Sequence, residues 1–162
     1  NKEVKINLIE TGKNTMTGGR LKRLKNFLDD TFLLTYGDGL SNVNLDKLIN
    51  FHKKNKNVIT LTAVRPPARF GFIKIFNNKV KYFREKNTLD AGWINGGFFV
   101  INPKFIDYIN NDKTFLEQEP FKKATKVNQL LAYKHNGFWQ CMDTLRDKEI
   151  LEKKIKEKSH LE

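Results

Sequence analysis

The sequence predicts an α/β fold in which helices flank a mixed sheet. Residues 57–64 have the composition of a buried strand. Residues 70–76 and 79–85 predict two more strands, which the pair Asn77-Asn78 joins in a hairpin. Amphipathic stretches lie between the strands, the last over residues 145–156. Strands that alternate with helices, together with one hairpin, are typical of a mixed α/β sheet.

Local patterns predict the remaining elements. Alternating apolar side chains predict a strand over residues 3–9. Thr17 is expected to cap a helix, and another helix is expected to begin near Asn44. The apolar faces of these two helices would be formed by Leu21, Leu24, Phe27 and Leu28, and by Leu45, Leu48, Ile49 and His52. The other expected elements are strands at residues 31–36, 93–101 and 130–135 and helices at residues 103–109 and 119–126.

Length and composition fit one folded domain. The chain has 162 residues, and 39% of them are hydrophobic, which is enough for a core. Because the first residue is Asn1 and not Met, we expect a fragment of a longer protein, with one domain at residues 1–160 and residues 161–162 left over from cloning. No apolar run is long enough to span a membrane. The single cysteine, Cys141, cannot form an internal disulfide, so we expect a cytoplasmic protein.

The net charge of +12 indicates anionic partners. Most cations alternate with acids or lie on solvated helix faces, as in residues 145–158. The charge therefore favours phosphate ligands and supports nucleic acid only weakly.

The motif Gly37-Asp38-Gly39 ends the strand that begins at residue 31. A carboxylate at this position would lie at the carboxyl edge of the sheet, where open α/β sheets bind ligands. The glycines would let a ligand or metal approach the backbone closely. An isolated motif of this kind is more often a plain turn.

Two glycines, Gly18 and Gly19, open the helix predicted from Thr17, and Arg20, Lys22 and Arg23 follow. Exposed N–H groups at the positive end of the helix dipole would suit an anion or a nucleotide. The alternative is a glycine turn before a helix with a solvated basic face. Spacing alone supports both interpretations equally.

The pair Glu85-Lys86 ends the second hairpin strand. Neighbouring side chains of a strand point to opposite faces, so at most one aims inward unless the strand ends there. Lys86 would suit a phosphate and Glu85 sugar hydroxyls. Solvated surface charge is the alternative.

The segment Asn95-Gly96-Gly97 lies inside an apolar strand. Two consecutive glycines there indicate a bulge or a close approach of a ligand to the backbone. The Asn95 amide offers both a donor and an acceptor to hydroxyl groups. We interpret this segment as part of a binding site.

Asp143 lies between an apolar stretch and the last predicted helix. If it faces Asp38, the two carboxylates would share one Mg²⁺ ion, which takes only one or two protein carboxylates. Alternatively, Asp143 caps the helix, and Thr144 is the other candidate for that role. The sequence has no His/Cys cluster with metal-ligand spacing.

These motifs, in this order, resemble the sugar-1-phosphate nucleotidylyltransferases. The resemblance runs through nearly the whole chain, and residues 16–23 look like the cytidylyl branch in particular. Six segments carry the resemblance: residues 15–23, 35–39, 66–71, 85–86, 94–100 and 138–147.

The resemblance implies a Rossmann-like mixed sheet of the nucleotide-diphospho-sugar transferase type. It also implies a reaction with Mg²⁺ in which glucose 1-phosphate attacks the α-phosphate of CTP, giving CDP-glucose and pyrophosphate for polysaccharide biosynthesis. The implied catalytic residues are Asp38, Lys86 and Asp143, with Asp38 and Asp143 as metal ligands. The implied substrate-binding residues are Gly19, Arg20, Tyr36, Gly71, Glu85, Lys86, Asn95 and Gly97.

The sequence departs from the family at its start. The family opens with a strand, a glycine-rich loop and a lysine that cradle the triphosphate, and this sequence has none of them. We therefore expect the sequence to be the C-terminal part of a longer protein, the fold to lack the N-terminal nucleotide-binding strands, and the chain alone to be inactive. Exposed apolar surface left by missing strands would favour a homo-oligomer.

Three alternatives remain open. A related transferase would use another nucleotide or another hexose 1-phosphate. A non-catalytic domain would bind sugar phosphate without responding to Mg²⁺. A basic nucleic-acid-binding module would place its aromatic residues in an exposed basic stripe, whereas here they lie in apolar strands. We expect neither a membrane nor a specific nucleic acid as partner.

Overall fold

A computed structural model of the chain describes residues 3–67, 71–85 and 92–159. Its helices are α1 (Thr17–Arg23), α2 (Leu45–Asn55), α3 (Glu119–Lys126) and α4 (Leu145–Ser159). Its strands are β1 (Phe32–Thr35), β2 (Gly39–Ser41), β3 (Ile59–Val64), β4 (Phe72–Phe76), β5 (Lys79–Arg84), β6 (Ile94–Ile101), β7 (Leu130–Lys134) and β8 (Trp139–Cys141). Two 3₁₀ helices span Lys25–Phe27 and Pro103–Tyr108.

The described strands form three sheets. Four of them make the main sheet, in the order β1-β6-β3-β7. The pairs β2–β8 and β4–β5 make two separate two-stranded sheets. Strand β3 is buried along nearly its whole length, as its β-branched sequence predicts.

The chain divides into two compact units. The first contains Asn1–Leu33, His52–Thr60 and Val100–Leu131, and the second contains Leu34–Phe51, Leu61–Phe99 and Ala132–Glu162. Phe105 is fully buried in the first unit and contacts the rings of Tyr108 and Phe121, at centroid distances of 5.6 and 6.1 Å. Phe99 is fully buried in the second unit, where its ring lies 5.4 Å from that of Tyr36.

The hairpin predicted from Asn77-Asn78 is confirmed. Both asparagines have left-handed backbone angles, with φ of 46° and 58°, as a two-residue hairpin turn of the favoured kind requires. Strands β4 and β5 pair antiparallel from Phe72 opposite Arg84 to Phe76 opposite Lys79.

Two helices begin as expected. The Asn44 side chain accepts a hydrogen bond from Lys47 N and thereby caps α2. Helix α3 has the predicted bounds. The predicted helix at residues 103–109 is instead the 3₁₀ helix Pro103–Tyr108, which Asn102 caps through Lys104 N.

Two predictions about the beginning of the chain are wrong. Residues 3–9 form no strand, and Leu8 is 94% exposed, because alternation does not create a strand without a partner for its backbone. Thr17 does not cap α1, because its Oγ1 accepts from Leu116 N and donates to Glu117. The helix ends at Arg23, and Phe27 is 64% exposed instead of lying on its apolar face.

In the part of the chain that the structure describes, no helix combines the length and the apolar character needed to cross a membrane.

Candidate functional site

The backbone segments that carry Asp38 and Asp143 lie side by side at one end of the β2–β8 sheet. Gly39 pairs with Cys141 in this sheet, and Met142 N donates a 2.9 Å hydrogen bond to the carbonyl oxygen of Asp38. Asp38 therefore directly precedes β2, and Asp143 directly follows Met142, whose backbone bonds to that of Asp38. Neither strand was predicted, because three residues are too few to show a periodicity.

The two carboxylates have the properties of an open cation site. Both side chains are exposed, and no residue of the described segments forms a hydrogen bond or ion pair with either carboxylate. Described residues contain no group of three or more His, Cys, Asp or Glu that would enclose a metal. Mg²⁺ needs no such group, because it binds one or two carboxylates and completes its shell with water and phosphate oxygens. The donor set therefore fits Mg²⁺.

The alternative role of Asp143 as a helix cap is wrong. Thr144 caps α4, because its Oγ1 accepts a 3.2 Å hydrogen bond from Asp147 N. Asp147 in turn accepts from Thr144 N and Thr144 Oγ1, at 3.1 and 2.7 Å, which completes a reciprocal capping arrangement. The spacing Thr144-x-x-Asp147 is visible in the sequence and could have identified this cap.

Three of the predicted substrate-binding residues lie together. Asn95 Nδ2 donates to Tyr36 Oη at 3.4 Å, and Asn95 Oδ1 accepts from Gly97 N at 3.0 Å. Tyr36 N donates to the carbonyl oxygen of Gly97 at 3.0 Å. Tyr36 and Asn95 are half-buried, so their polar groups combine fixed positions with access to solvent.

Packing explains both glycines of the Asn95-Gly96-Gly97 segment. Gly97 has φ of +77°, and a Cβ atom there would lie 2.9 Å from the Tyr36 ring. A Cβ atom on Gly96 would lie 2.8 Å from Val64 Cγ1. The fold itself thus requires glycine at both positions, and ligand contact by Gly97 stays a prediction.

Gly71 and Glu85 meet at the base of the β4–β5 hairpin. A Cβ atom on Gly71 would lie 3.1 Å from Glu85 Oε2, so the hairpin brings these two predicted sugar contacts together. Lys86, predicted to bind the sugar phosphate, lies outside the described residues.

Gly19 and Arg20 belong to the first unit, whereas the other described candidates belong to the second. The amides of Gly18 and Gly19 both donate to the carbonyl oxygen of Thr114, at 3.0 and 3.3 Å. The prediction that these N–H groups are exposed for an anion is therefore wrong. Arg20 donates to Thr11 Oγ1 at 2.7 Å and to the carbonyl oxygen of Lys13 at 3.4 Å, which fixes the preceding loop.

The other cations of this helix are also engaged. Lys22 Nζ donates to the carbonyl oxygens of Ile109 and Asn110, at 2.9 and 2.8 Å. Arg23 forms a bidentate pair with Asp112, and its hydrogen bond lowers the pKa of the Asp112 carboxyl group. Lys22 and Arg23 thus anchor residues 109–112 while their side chains stay exposed to solvent.

Similar proteins share one activity class. A glucose-1-phosphate cytidylyltransferase from Salmonella typhimurium is 49% identical over 149 residues, which are 91% of this chain and 58% of that protein. A mannose-1-phosphate guanyltransferase from Yarrowia lipolytica is 32% identical over 143 residues, which are 83% of this chain and 39% of that protein. The chain thus spans little more than half the length of the Salmonella relative.

Solved structures show the same fold. HddC from Yersinia pseudotuberculosis superposes with a TM-score of 0.63 at 20% identity, over 85% of this chain and 61% of that one. A UDP-glucose pyrophosphorylase complexed with UDP-glucose superposes with a TM-score of 0.61 at 13% identity, over 86% and 61%. These similarities confirm the predicted α/β class with a sheet flanked by helices. Residues 1–147 also match the model of a protein family described as "Nucleotidyl transferase". Because this match covers most of the sequence, the chain belongs to the nucleotidyl transferase family.

Proposed function

We propose that this chain is the sugar-phosphate- and metal-binding part of a glucose-1-phosphate cytidylyltransferase. The observation that carries the proposal is the pair of open carboxylates, Asp38 and Asp143, in the same unit as the Asn95–Tyr36 pair. The relatives support cytidylyl transfer, since identity is 49% to the cytidylyltransferase and 32% to the guanyltransferase.

In the proposed reaction, a phosphate oxygen of glucose 1-phosphate attacks the α-phosphorus of CTP. A new P–O bond forms, the bond to the β-phosphate oxygen breaks, and pyrophosphate leaves with that electron pair. Asp38 and Asp143 would hold Mg²⁺, which when bound neutralises phosphate charge. The residues of this chain act by binding and orienting, because this chemistry is governed by positioning and electrostatics.

The proposed roles of the sugar-binding residues follow from the chemical groups of their side chains. The Asn95 amide and the Tyr36 hydroxyl would bind sugar hydroxyls from fixed positions. Glu85, next to Gly71, would accept hydrogen bonds from further hydroxyls. Lys86 is proposed to neutralise the sugar phosphate. We also propose that the chain alone has no turnover, because it lacks the family's triphosphate-binding loop.

A chimera tests the activity. Residues 3–147 of this chain would replace the matching segment of the Salmonella relative, and CDP-glucose and pyrophosphate would be measured with Mg²⁺, glucose 1-phosphate and CTP, UTP or dTTP. We expect turnover that is fastest with CTP. The same chimera with Asp143→Asn serves as the control and should be inactive.

Two outcomes would contradict the proposal. A folded chimera without turnover, beside an active parent enzyme, would reduce the chain to a binding domain. Preference for UTP or dTTP would assign it to another branch of the family. Pyrophosphate release by the isolated chain would contradict only the statement that the chain alone is inactive.

A further inference from the structure

A buried bridge connects the two sides of the turn that carries Asp143. Gln140 and Asp147 are each 4% exposed, and Gln140 Nε2 donates to Asp147 Oδ1 at 3.3 Å. The same nitrogen donates to the carbonyl oxygen of Cys141 at 3.1 Å. The other oxygen of Asp147 accepts from both polar groups of Thr144. One buried carboxylate therefore fixes the chain before and after Asp143.

Helix capping does not account for the whole bridge. A cap needs only Thr144 and the third residue of the helix. Here Asp147 is buried and reaches back to β8, although Leu145 beside the cap is 70% exposed. Burying a carboxylate is costly unless it is fully hydrogen-bonded. The link to Gln140 therefore holds the turn itself.

We propose that Gln140 and Asp147 are positioning residues that set the direction of the Asp143 carboxylate. The inference rests on the proposed metal site. Removing a group that hydrogen-bonds around a metal site typically lowers metal affinity about 10- to 100-fold, because such groups orient the ligands.

Mn²⁺ binding to this chain, followed by electron paramagnetic resonance, tests the role without an activity assay. Gln140→Leu removes the bridge and keeps the cap of α4. We expect its Mn²⁺ affinity to fall about tenfold, with unchanged far-UV circular dichroism. Gln129→Leu is the matched control, because Gln129 bonds Val58 N in the first unit, and its affinity should equal that of the wild type.

The outcomes separate this inference from the proposed function. If Asp143→Asn binds Mn²⁺ as tightly as the wild type, the metal site itself is absent. If Asp143→Asn weakens binding but Gln140→Leu does not, the bridge is only structural. Should Gln140→Leu not fold, Asp147→Asn gives a second test, since the single oxygen of its amide cannot accept from both Thr144 and Gln140 Nε2.

Discussion

The indole Nε1 of Trp139 donates a 2.8 Å hydrogen bond to the carbonyl oxygen of Gly96. Trp139 begins the strand that leads to Asp143, and Gly96 lies between Asn95 and Gly97. One side chain thus joins the proposed metal-binding segment to the proposed sugar-binding segment within the second unit.

Trp139→Phe should lower the free energy of unfolding by about 1–3 kcal/mol, because it leaves the Gly96 carbonyl oxygen without its donor. Urea denaturation measures the change. Trp93→Phe is the control, because Trp93 meets Arg65 with its ring face at 4.5 Å, a contact that phenylalanine keeps. Equal losses in the two variants would mean that ring volume matters and the hydrogen bond does not.

Gly97→Ala should lower the free energy of unfolding by about 2–4 kcal/mol, because it adds a Cβ atom against Tyr36 at a left-handed φ. Gly39→Ala is the control, since its Cβ atom would meet neighbours only at 3.7–3.9 Å. That variant should stay within about 1 kcal/mol of the wild type. A tolerant Gly97→Ala variant would show that Tyr36 can move aside.

Asp143→Asn should remove Mn²⁺ binding by the chain and change the free energy of unfolding by less than about 0.5 kcal/mol. The reason is that the substitution removes charge from an exposed carboxylate with no partner among the described residues. Calorimetry of Mn²⁺ binding and urea denaturation of the same sample check both parts. If the variant mainly unfolds, Asp143 is a structural residue.

Thr62→Val should leave the free energy of unfolding unchanged or raise it by up to about 1 kcal/mol. Thr62 is fully buried, and its Oγ1 has no hydrogen-bond partner within the described segments. Thr60→Val provides the contrast two positions earlier in β3, because Thr60 Oγ1 lies 2.9 Å from His52 Nδ1. Its loss should cost about 1–3 kcal/mol. Equal effects of the two substitutions would indicate a water bound to Thr62.

Stability should fall as the pH drops below about 6.5, the ordinary pKa of histidine. Burial lowers the pKa of His52, so the unfolded chain takes up a proton that the folded chain does not. The stabilisation is complete above the unfolded pKa and is lost as the pH falls toward the folded pKa. Denaturation midpoints between pH 8 and about 5 measure the loss, and His52→Gln should flatten that slope. The lowered pKa of Asp112 acts in a more acidic range, below about 4.

Sequence patterns predicted the elements whose own residues determine them. The Asn77-Asn78 turn, the Asn44 cap and the bounds of α3 depend on neighbours within a few positions. Strands β2 and β8 escaped prediction because their pairing joins residues about a hundred positions apart. The same holds for Thr17, whose hydroxyl serves Leu116 instead of its own helix.

The candidate site, like the fold, could be predicted only in part from the sequence. Its candidate residues were predicted from residue types and from the family resemblance, and the structure brings Tyr36, Asn95 and Gly97 together. The reason for each glycine was not predictable, because it lies in the ring or backbone that would meet a Cβ atom. The Gln140–Asp147 bridge was missed since no pattern reveals which polar residues are buried together.

The contact of α1 with residues 109–116 has an evolutionary consequence. A Cβ atom on Gly19 would overlap the backbone of Asp112, while Lys22 and Arg23 bond to neighbouring positions of that segment. Adding or deleting a single residue in either segment would shift the residues that follow it and break all of these contacts together. Each of these two segments, about ninety positions apart, must therefore keep its own length in every descendant of this chain, even where the side chains diverge.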